Sequence, residues 1–346
     1  MMYSSAAARE DTERDATTAR RGRNLSLPMT RAASANATAA VQLDVLGVRF
    51  TMVCPASCVT GAPGASSCPA EVCRSVAALG GFASQESGHF HRILGNGACL
   101  GHDGMRRTVV DVGANVGYFT LFAAAHGCNV LAIEPQPYAA ELIRKSLAAN
   151  HASLAARVEV ITTLISTEQG ARYSVHFPHR RTWGWASFRS DAKGTVHAAR
   201  LDTLMDEVVA QRFPESAGHL LLLKVDTEGM ELPVLDSAPQ LLKSRRVEHM
   251  LLEIKSPLSR PKQELLKRLL AAGYSLNNYV EDYRLHARDF ATRRQPLNPW
   301  QRLPKGQSRA VGRHARVEVL GPDKVAHGED FYLQLKPSWW WRWLPG

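Results

Sequence analysis

The sequence predicts an α/β protein with a doubly wound, mostly parallel sheet, and three observations carry that expectation. β-branched or leucine-rich runs (TVVDV, NVLAI, VEVITTLIS, LLLLKV, EHMLLEIK) alternate with segments of helical periodicity from residue 108 onward. Some runs, LLLLKV above all, are continuously apolar, as befits strands covered on both faces. Their pitch along the chain suits right-handed crossovers between parallel neighbours.

TVVDVG is a strand ending at glycine, YFTLFAAAHG a helix closing on Gly127, and NVLAIEP a strand cut off by Pro135. PYAAELIRKSLAANH has apolar residues at helical spacing with Asn150 as its stop, and VEVITTLIS is the third strand. Residues 170 to 200 are irregular and read as an extended insertion or an antiparallel pair. LDTLMDEVVAQ is a helix, LLLLKVDTEG a buried strand, and a helix follows from about Pro233 to Leu242. EHMLLEIK is the fifth strand and PKQELLKRLLAAGY a helix ending at Gly273. Two late β-prone pieces, Tyr274 to Val280 and Phe331 to Leu335, are expected at the sheet's far edge.

With 346 residues and 45% apolar content, the chain can bury a substantial core. The formal charge is +10, and nine Lys or Arg stand against one Asp between Arg284 and Arg316. Without aromatic interleaving or a nucleic-acid motif, that stretch reads as a solvated arm. Residues 1–40 read as a disordered tail. They are rich in Ala, Ser, Thr and Arg, but Glu10, Asp11, Glu13 and Asp15 run against a transit peptide. The expected organisation continues with an N-terminal extension holding a Cys-rich loop (41–107), an α/β core (108–280) and a basic C-terminal extension (281–346) that carries a closing strand and the tail SWWWRWLPG. No run approaches the roughly 18 apolar residues of a spanning helix, so a soluble, cytoplasmic protein is expected, with organelle targeting kept open. Cys54, Cys58, Cys68 and Cys73 fit disulfides, a zinc knuckle or free thiols, zinc being disfavoured by the spacing and the lack of a nearby His. Cys99 and Cys128 are expected to pack as small hydrophobes.

Chemistry concentrates in DVGANVGYF. A glycine turn between a buried strand and a helix lets backbone approach a ligand, and the helix start offers unpaired N–H groups. The middle glycine of G-x-G-x-x-G is missing, which weakens a pyrophosphate reading and a nucleotide-dependent oxidoreductase with it. Asp111 before the glycines would repel phosphate and attract a cationic amino group. Glu134, twenty-three positions later at the end of the next strand, suits ribose hydroxyls. A ribose, a cationic amino-acid end and no phosphate describe S-adenosylmethionine.

DVGANVGYF, AIEPQP, LDTL, LKVDTEGMELPVL and LLEIK resemble, in order and spacing, FkbM-type methyltransferases, a branch of the class I S-adenosylmethionine-dependent fold. The resemblance covers residues 108 to 275 and implies a seven-stranded sheet with a reversed last strand, and methyl transfer to a hydroxyl oxygen. It assigns Asp111, Gly113, Asn115 and Gly117 to the methionine end of the cofactor and Glu134 to the ribose. Lys224, Asp226, Glu228, Gly229 and Glu231 match the motif after the fourth strand, and Glu253 the acid ending the fifth. Where the family tends to carry an Asp suited to adenine, Thr167 stands, with Glu168 beside it.

The expected site therefore has Asp226, Glu228 and Lys224 as catalytic residues. Asp111, Gly113, Asn115, Gly117, Glu134 and Thr167 are expected on the cofactor. Asp226 takes the substrate side; with Glu228 and Glu253 it also forms a possible hard-cation set, but no metal is assigned. Lys224 either takes part in catalysis or only pairs with Glu253 or Glu231. His176, His179 and His197 are read as surface residues. The expected partner is a small-molecule or glycan acceptor, with a non-catalytic binding module for RNA or an acidic polymer as the rival from another class.

Overall fold

The computed structural model of the chain describes residues 37–59, 68, 70–101, 103–177, 184, 186–216, 219–254, 259–272, 274–278 and 331–337. The basic stretch 284–316, the Trp-rich tail, His179 and all but the end of the expected tail lie outside these residues.

β1 (Thr38–Val45) and β2 (Val48–Pro55) form an antiparallel hairpin. Its two-residue turn, Leu46 and Gly47, has φ of 53° and 81°, the left-handed pair whose twist matches that of the strands. Strand structure thus starts inside the segment expected as a tail. α1 (Ala56–Val59), α2 (Glu71–Leu79) and α3 (Ser84–Leu94) follow.

The core then alternates as expected through β3 (Thr108–Val112), α4 (Tyr118–Ala125), β4 (Asn129–Ile133), α5 (Pro137–Ala148), α6 (Ala152–Ala155) and β5 (Val158–Ile161). β6 (Leu164–Ile165), β7 (Arg172–His176), β8 (Ser187–Ser190) and β9 (Val196–Ala199) make a separate four-stranded sheet, the antiparallel reading of the 170–200 stretch. α7 (Leu201–Leu204) runs through a π-helical turn (Met205–Val209) into α8 (Ala210–Arg212). β10 (Leu220–Val225), α9 (Glu231–Asp236), α10 (Pro239–Lys243), β11 (Val247–Ile254) and α11 (Arg260–Ala271) complete the alternation. Five parallel strands lie in the order β11-β10-β3-β4-β5. At the β11 edge, β12 (Tyr274–Asn278) and β13 (Phe331–Pro337) are added, with β13 antiparallel to both β11 and β12.

Two expected elements are divided. VEVITTLIS is not one strand, because Thr163 Oγ1 donates to the His197 carbonyl (2.8 Å) and the chain leaves β5 to pair with β9. The helix expected over Pro233–Leu242 breaks before Pro239, which cannot donate to a preceding turn. The second piece is restarted by Asp202 of the LDTL motif, whose carboxylate accepts from the N–H groups of Gln240 (2.9 Å) and Leu241 (3.0 Å).

β3, β4 and β10 are buried along their whole length, and their side chains alternate between two cores. Val109, Val130 and Ala132 face α4, α5, the hairpin and α3, whereas Val110, Leu131 and Ile133 face α9, α10 and α11. A register shift between Leu220 and Leu222 accounts for Leu221 and Leu222 joining the same core. The N-terminal extension is therefore part of the main core. Ser146 of α5 and Asn150, two residues past its end, satisfy the free edge of β2. Asn150 Oδ1 accepts from Thr51 N–H (2.8 Å), Asn150 Nδ2 donates to Thr51 O (2.6 Å), and Ser146 Oγ accepts from Val53 N–H (2.8 Å).

All six cysteines are paired, as Cys54–Cys73, Cys58–Cys68 and Cys99–Cys128. The first two resolve the Cys-rich loop in favour of disulfides and against zinc. The third corrects the reading of Cys99 and Cys128 as small hydrophobes. Both are buried, but the chain entering β3 lies against the start of β4 and brings their Cα atoms to 4.5 Å. Replacing Cys99 and Cys128 together by serine is expected to lower the unfolding free energy by about 3 kcal/mol, the scale for opening a closure of 29 residues. An unchanged midpoint in a urea titration under non-reducing conditions would show the thiols unpaired.

Candidate functional site

The carboxyl ends of the parallel strands converge on the turn between β3 and α4. Gly113 has φ of 82°, and a Cβ there would stand 1.8 Å from the Asp226 carbonyl oxygen. Gly117 has φ of 88° and its Cβ would press on Ile143 of α5 at 2.9 Å. Both positions therefore require glycine on two counts, backbone sign and space. The close approach at Gly113 is to the β10–α9 segment, so this glycine joins two halves of the site. Asn115 between them also has positive φ, 53°.

Below the turn, Asp111 is fully buried. Thr120 Oγ1 donates to its Oδ2 at 2.7 Å, and Lys224 Nζ lies 3.4 Å from its Oδ1. Parallel register puts Lys224 of β10 opposite Asp111 of β3. Lys224 Nζ also lies 3.2 Å from Asp226 Oδ2 and 5.4 Å from the centre of the Phe119 ring. Burial alone would lower the lysine's pKa, but Asp226 and Asp111 outweigh it and hold the ammonium charged. Lys224 thus makes its ion pairs with Asp111 and Asp226, and Glu253 acts on it only as a further nearby charge.

After β10 the motif DTEGME makes a tight bend. Glu228 and Gly229 both have positive φ, 56° and 111°. Glu231 stabilises the bend, its Oε1 accepting from Gly229 N–H (2.8 Å), Thr227 Oγ1 (3.1 Å) and Thr227 N–H (3.3 Å). The bend leaves Asp226 and Glu228 half-exposed, and one carboxylate oxygen from each, with one from buried Glu253, lie within 4.8 Å of one another.

One cavity of about 230 Å³ gathers these parts. Its walls include Gly113, Asn115, Glu134, Lys224, Asp226, Glu228 and Glu253. Glu134, 3% exposed, accepts from Asn115 N–H at 2.7 Å through Oε2 and from Gln136 N–H at 2.9 Å through Oε1. Burial pushes its carboxyl up to about 7, against those two N–H groups and with a further rise from Asp111. Asn115 Oδ1 is buried with no hydrogen-bond partner among the described residues.

Three expected cofactor residues, Asp111, Gly117 and Thr167, are not among the residues that line the cavity. Asp111 lies beneath the cavity, its carboxylate taken by Thr120 and Lys224, and is not among the lining residues. Thr167 and Glu168 are exposed, and the Thr167 carbonyl accepts from Arg200 (3.0 Å). Because the chain leaves β5 early, Thr163, Leu164 and Ile165 line the cavity in their place. Gly117 is likewise a packing and capping residue at the start of α4. His176 and His197 are exposed, as expected. Glu71, Val72 and Phe82 also line the cavity and carry no motif; only the alternating hairpin pattern upstream hinted at order in that extension.

An acid whose folded value exceeds its unfolded one favours folding only while protonated. Stability from Glu134 is therefore full below about pH 4.5 and falls as the pH climbs through about 7. Relative to Glu134→Gln, the cofactor-free wild type is expected to lose about 3 kcal/mol across that window. Denaturant titrations at a series of pH values measure this, and parallel curves for the two proteins would contradict it.

No curated protein matches the chain. Solved structures similar to it include a precorrin-6y C5,15-methyltransferase from Geobacter metallireducens (13% identity, TM-score 0.30, covering 56% of this chain and 74% of that one). Others are an rRNA methylase from Streptococcus thermophilus (12%, 0.34, 74% and 98%) and the human methyltransferase 10 domain containing protein (11%, 0.36, 74% and 83%). Likenesses this weak carry no functional weight. Residues 111–276, by contrast, match the family model described as the methyltransferase FkbM domain.

Proposed function

We propose that the protein is an S-adenosylmethionine-dependent methyltransferase acting on a hydroxyl oxygen of a small molecule or glycan. The observation that carries this reading is the cavity at the carboxyl ends of β3, β4, β10 and β11, in which Glu134 and the unpartnered Asn115 Oδ1 meet Asp226, Glu228 and Glu253. The first two are hydrogen-bond acceptors suited to the hydroxyl and amino donors of a nucleoside. The reversed β13, inserted between β11 and β12, supports the seven-stranded class I arrangement.

When bound, the cofactor supplies a methyl group activated by its sulfonium. Glu134 has lone pairs left for ribose hydroxyls after accepting its two backbone N–H groups. Asp226 accepts the acceptor's proton as the new C–O bond forms and the C–S bond breaks. Lys224, held as an ammonium, fixes the Asp226 carboxylate and is a positioning residue, not a base. Donation by ribose hydroxyls favours ionised Glu134, so cofactor affinity rises with pH up to about 7.

The nucleic-acid reading gains nothing here, since five carboxylates (Glu71, Glu134, Asp226, Glu228, Glu253) face one lysine in the cavity wall. No helix among the described residues is long and apolar enough to cross a membrane. Three disulfides favour an oxidising compartment over the cytoplasm expected from the sequence.

Calorimetric titration with S-adenosylhomocysteine is expected to give micromolar binding that weakens at least tenfold in Glu134→Ala; a folded protein that does not bind would sink the reading. Asp226→Asn is expected to lower methyl transfer by about a hundredfold or more while leaving that affinity in place. Full activity in the variant would move the proton-accepting role elsewhere. Loss of wild-type activity on chelation, restored by a divalent cation, would assign the three carboxylates to a metal instead.

A further inference from the structure

The cavity is not walled by the FkbM domain alone. Glu71 and Val72 at the start of α2, and Phe82 before α3, line it from a segment that precedes the matched residues. Phe82 is half-buried and packs edge-on to Tyr118 (5.8 Å between ring centres) and Phe119 (6.5 Å). Phe119 also lies beneath the Lys224 ammonium, which puts Phe82 in the neighbourhood of the Lys224–Asp226 pair.

The segment is firmly held. Ser87 Oγ donates to the Phe82 carbonyl (2.7 Å) and lies 2.9 Å from the Tyr118 hydroxyl, while Phe90 stacks on Phe119 at 4.5 Å. The Cys54–Cys73 disulfide ties α2 to the end of β2. Glu86, on the first turn of α3, is half-buried; burial raises its pKa, and the nearby charge of Asp226 raises it further against that of Lys224.

We propose that this disulfide-held segment is the acceptor-binding wall and that the acceptor is an uncharged sugar ring. Phe82 serves as a platform for the ring's C–H groups, and Glu71 accepts hydrogen bonds from its hydroxyls. This rests on the methyltransferase reading above and narrows its substrate class. The chemistry favours such a ligand over charged ones. A cavity wall with Glu71, Asp226, Glu228 and Glu253 against one lysine, itself neutralised by Asp111 and Asp226, repels phosphates and carboxylates. Carboxylates that only accept suit a ligand rich in hydroxyl donors, and an aromatic side chain at a cavity wall suits the apolar face of a pyranose.

The test is saturation-transfer NMR on the full chain loaded with S-adenosylhomocysteine. The probes are the methyl glycosides of glucose, galactose, mannose, xylose, fucose and rhamnose. The expected result is saturation of the ring protons of at least one glycoside. That signal is lost in Phe82→Ala and kept in Phe82→Trp, with S-adenosylhomocysteine affinity within twofold in both. Glu71→Gln, at an exposed position that does not endanger the fold, is expected to weaken the same glycoside at least threefold and decides the matter if Phe82→Ala does not fold. Cofactor binding without saturation of any glycoside overturns the sugar assignment and leaves the methyltransferase reading standing. A tenfold loss of S-adenosylhomocysteine affinity in Phe82→Ala overturns it too, by making Phe82 a cofactor residue. Failure of the wild type to bind S-adenosylhomocysteine removes both readings together.

Discussion

Everything in the site hangs on one buried charge group, the Lys224 ammonium between Asp111 and Asp226. An isolated ammonium in such a place would cost several kcal/mol in lost solvation, and two carboxylates with an aromatic face offset that. The arrangement also fixes geometry. Lys224 reaches Asp111 only if β3 and β10 keep their register, and a slip of one residue would turn both side chains away. Thr120 ties the same carboxylate to α4. Asp226, one residue past the end of β10, is then held at the cavity by the ion pair that stabilises the strands.

The turn residues add a second constraint. Gly113 lets the β3–α4 turn lie against the Asp226 carbonyl, and Glu231 anchors the bend that follows. The two halves of the cavity are thus joined by backbone contact as well as by the Lys224 side chain. The Asn115 amide and the Glu134 carboxylate sit on the same joint, since the Asn115 N–H is one of the donors that hold Glu134.

Most of the parallel core was legible in the sequence because its signals are local: buried runs, glycines that need positive φ, and a dense polar motif at a strand end. KVDTEGMEL in particular can be read residue by residue, from the buried lysine to the clamping Glu231. What was not legible depends on contacts distant in sequence. Thr167 stands away from the cavity because the chain leaves β5 at Thr163, whose hydroxyl bonds the His197 carbonyl. The contacts of Asp111 with Thr120 and Lys224 are identified only once the strands are paired. The Cys99–Cys128 bridge required knowing that the chain entering β3 lies beside β4. Glu71 and Phe82 carry no pattern of their own, and they reach the cavity through the packing of a segment that looked like a loop.

The hairpin and its helices bear on where this protein begins and ends as a physical object. Sequence similarity starts at Asp111, but the apolar flank of α4 and α5 continues without interruption under Phe50, Met52, Phe90 and Leu94. Transplanting the recognised domain alone into another chain would leave that flank bare, a large sticky surface of the kind that drives aggregation. The stretch that matches the family and the stretch that water will tolerate as a folded unit are therefore different parts of the same polypeptide.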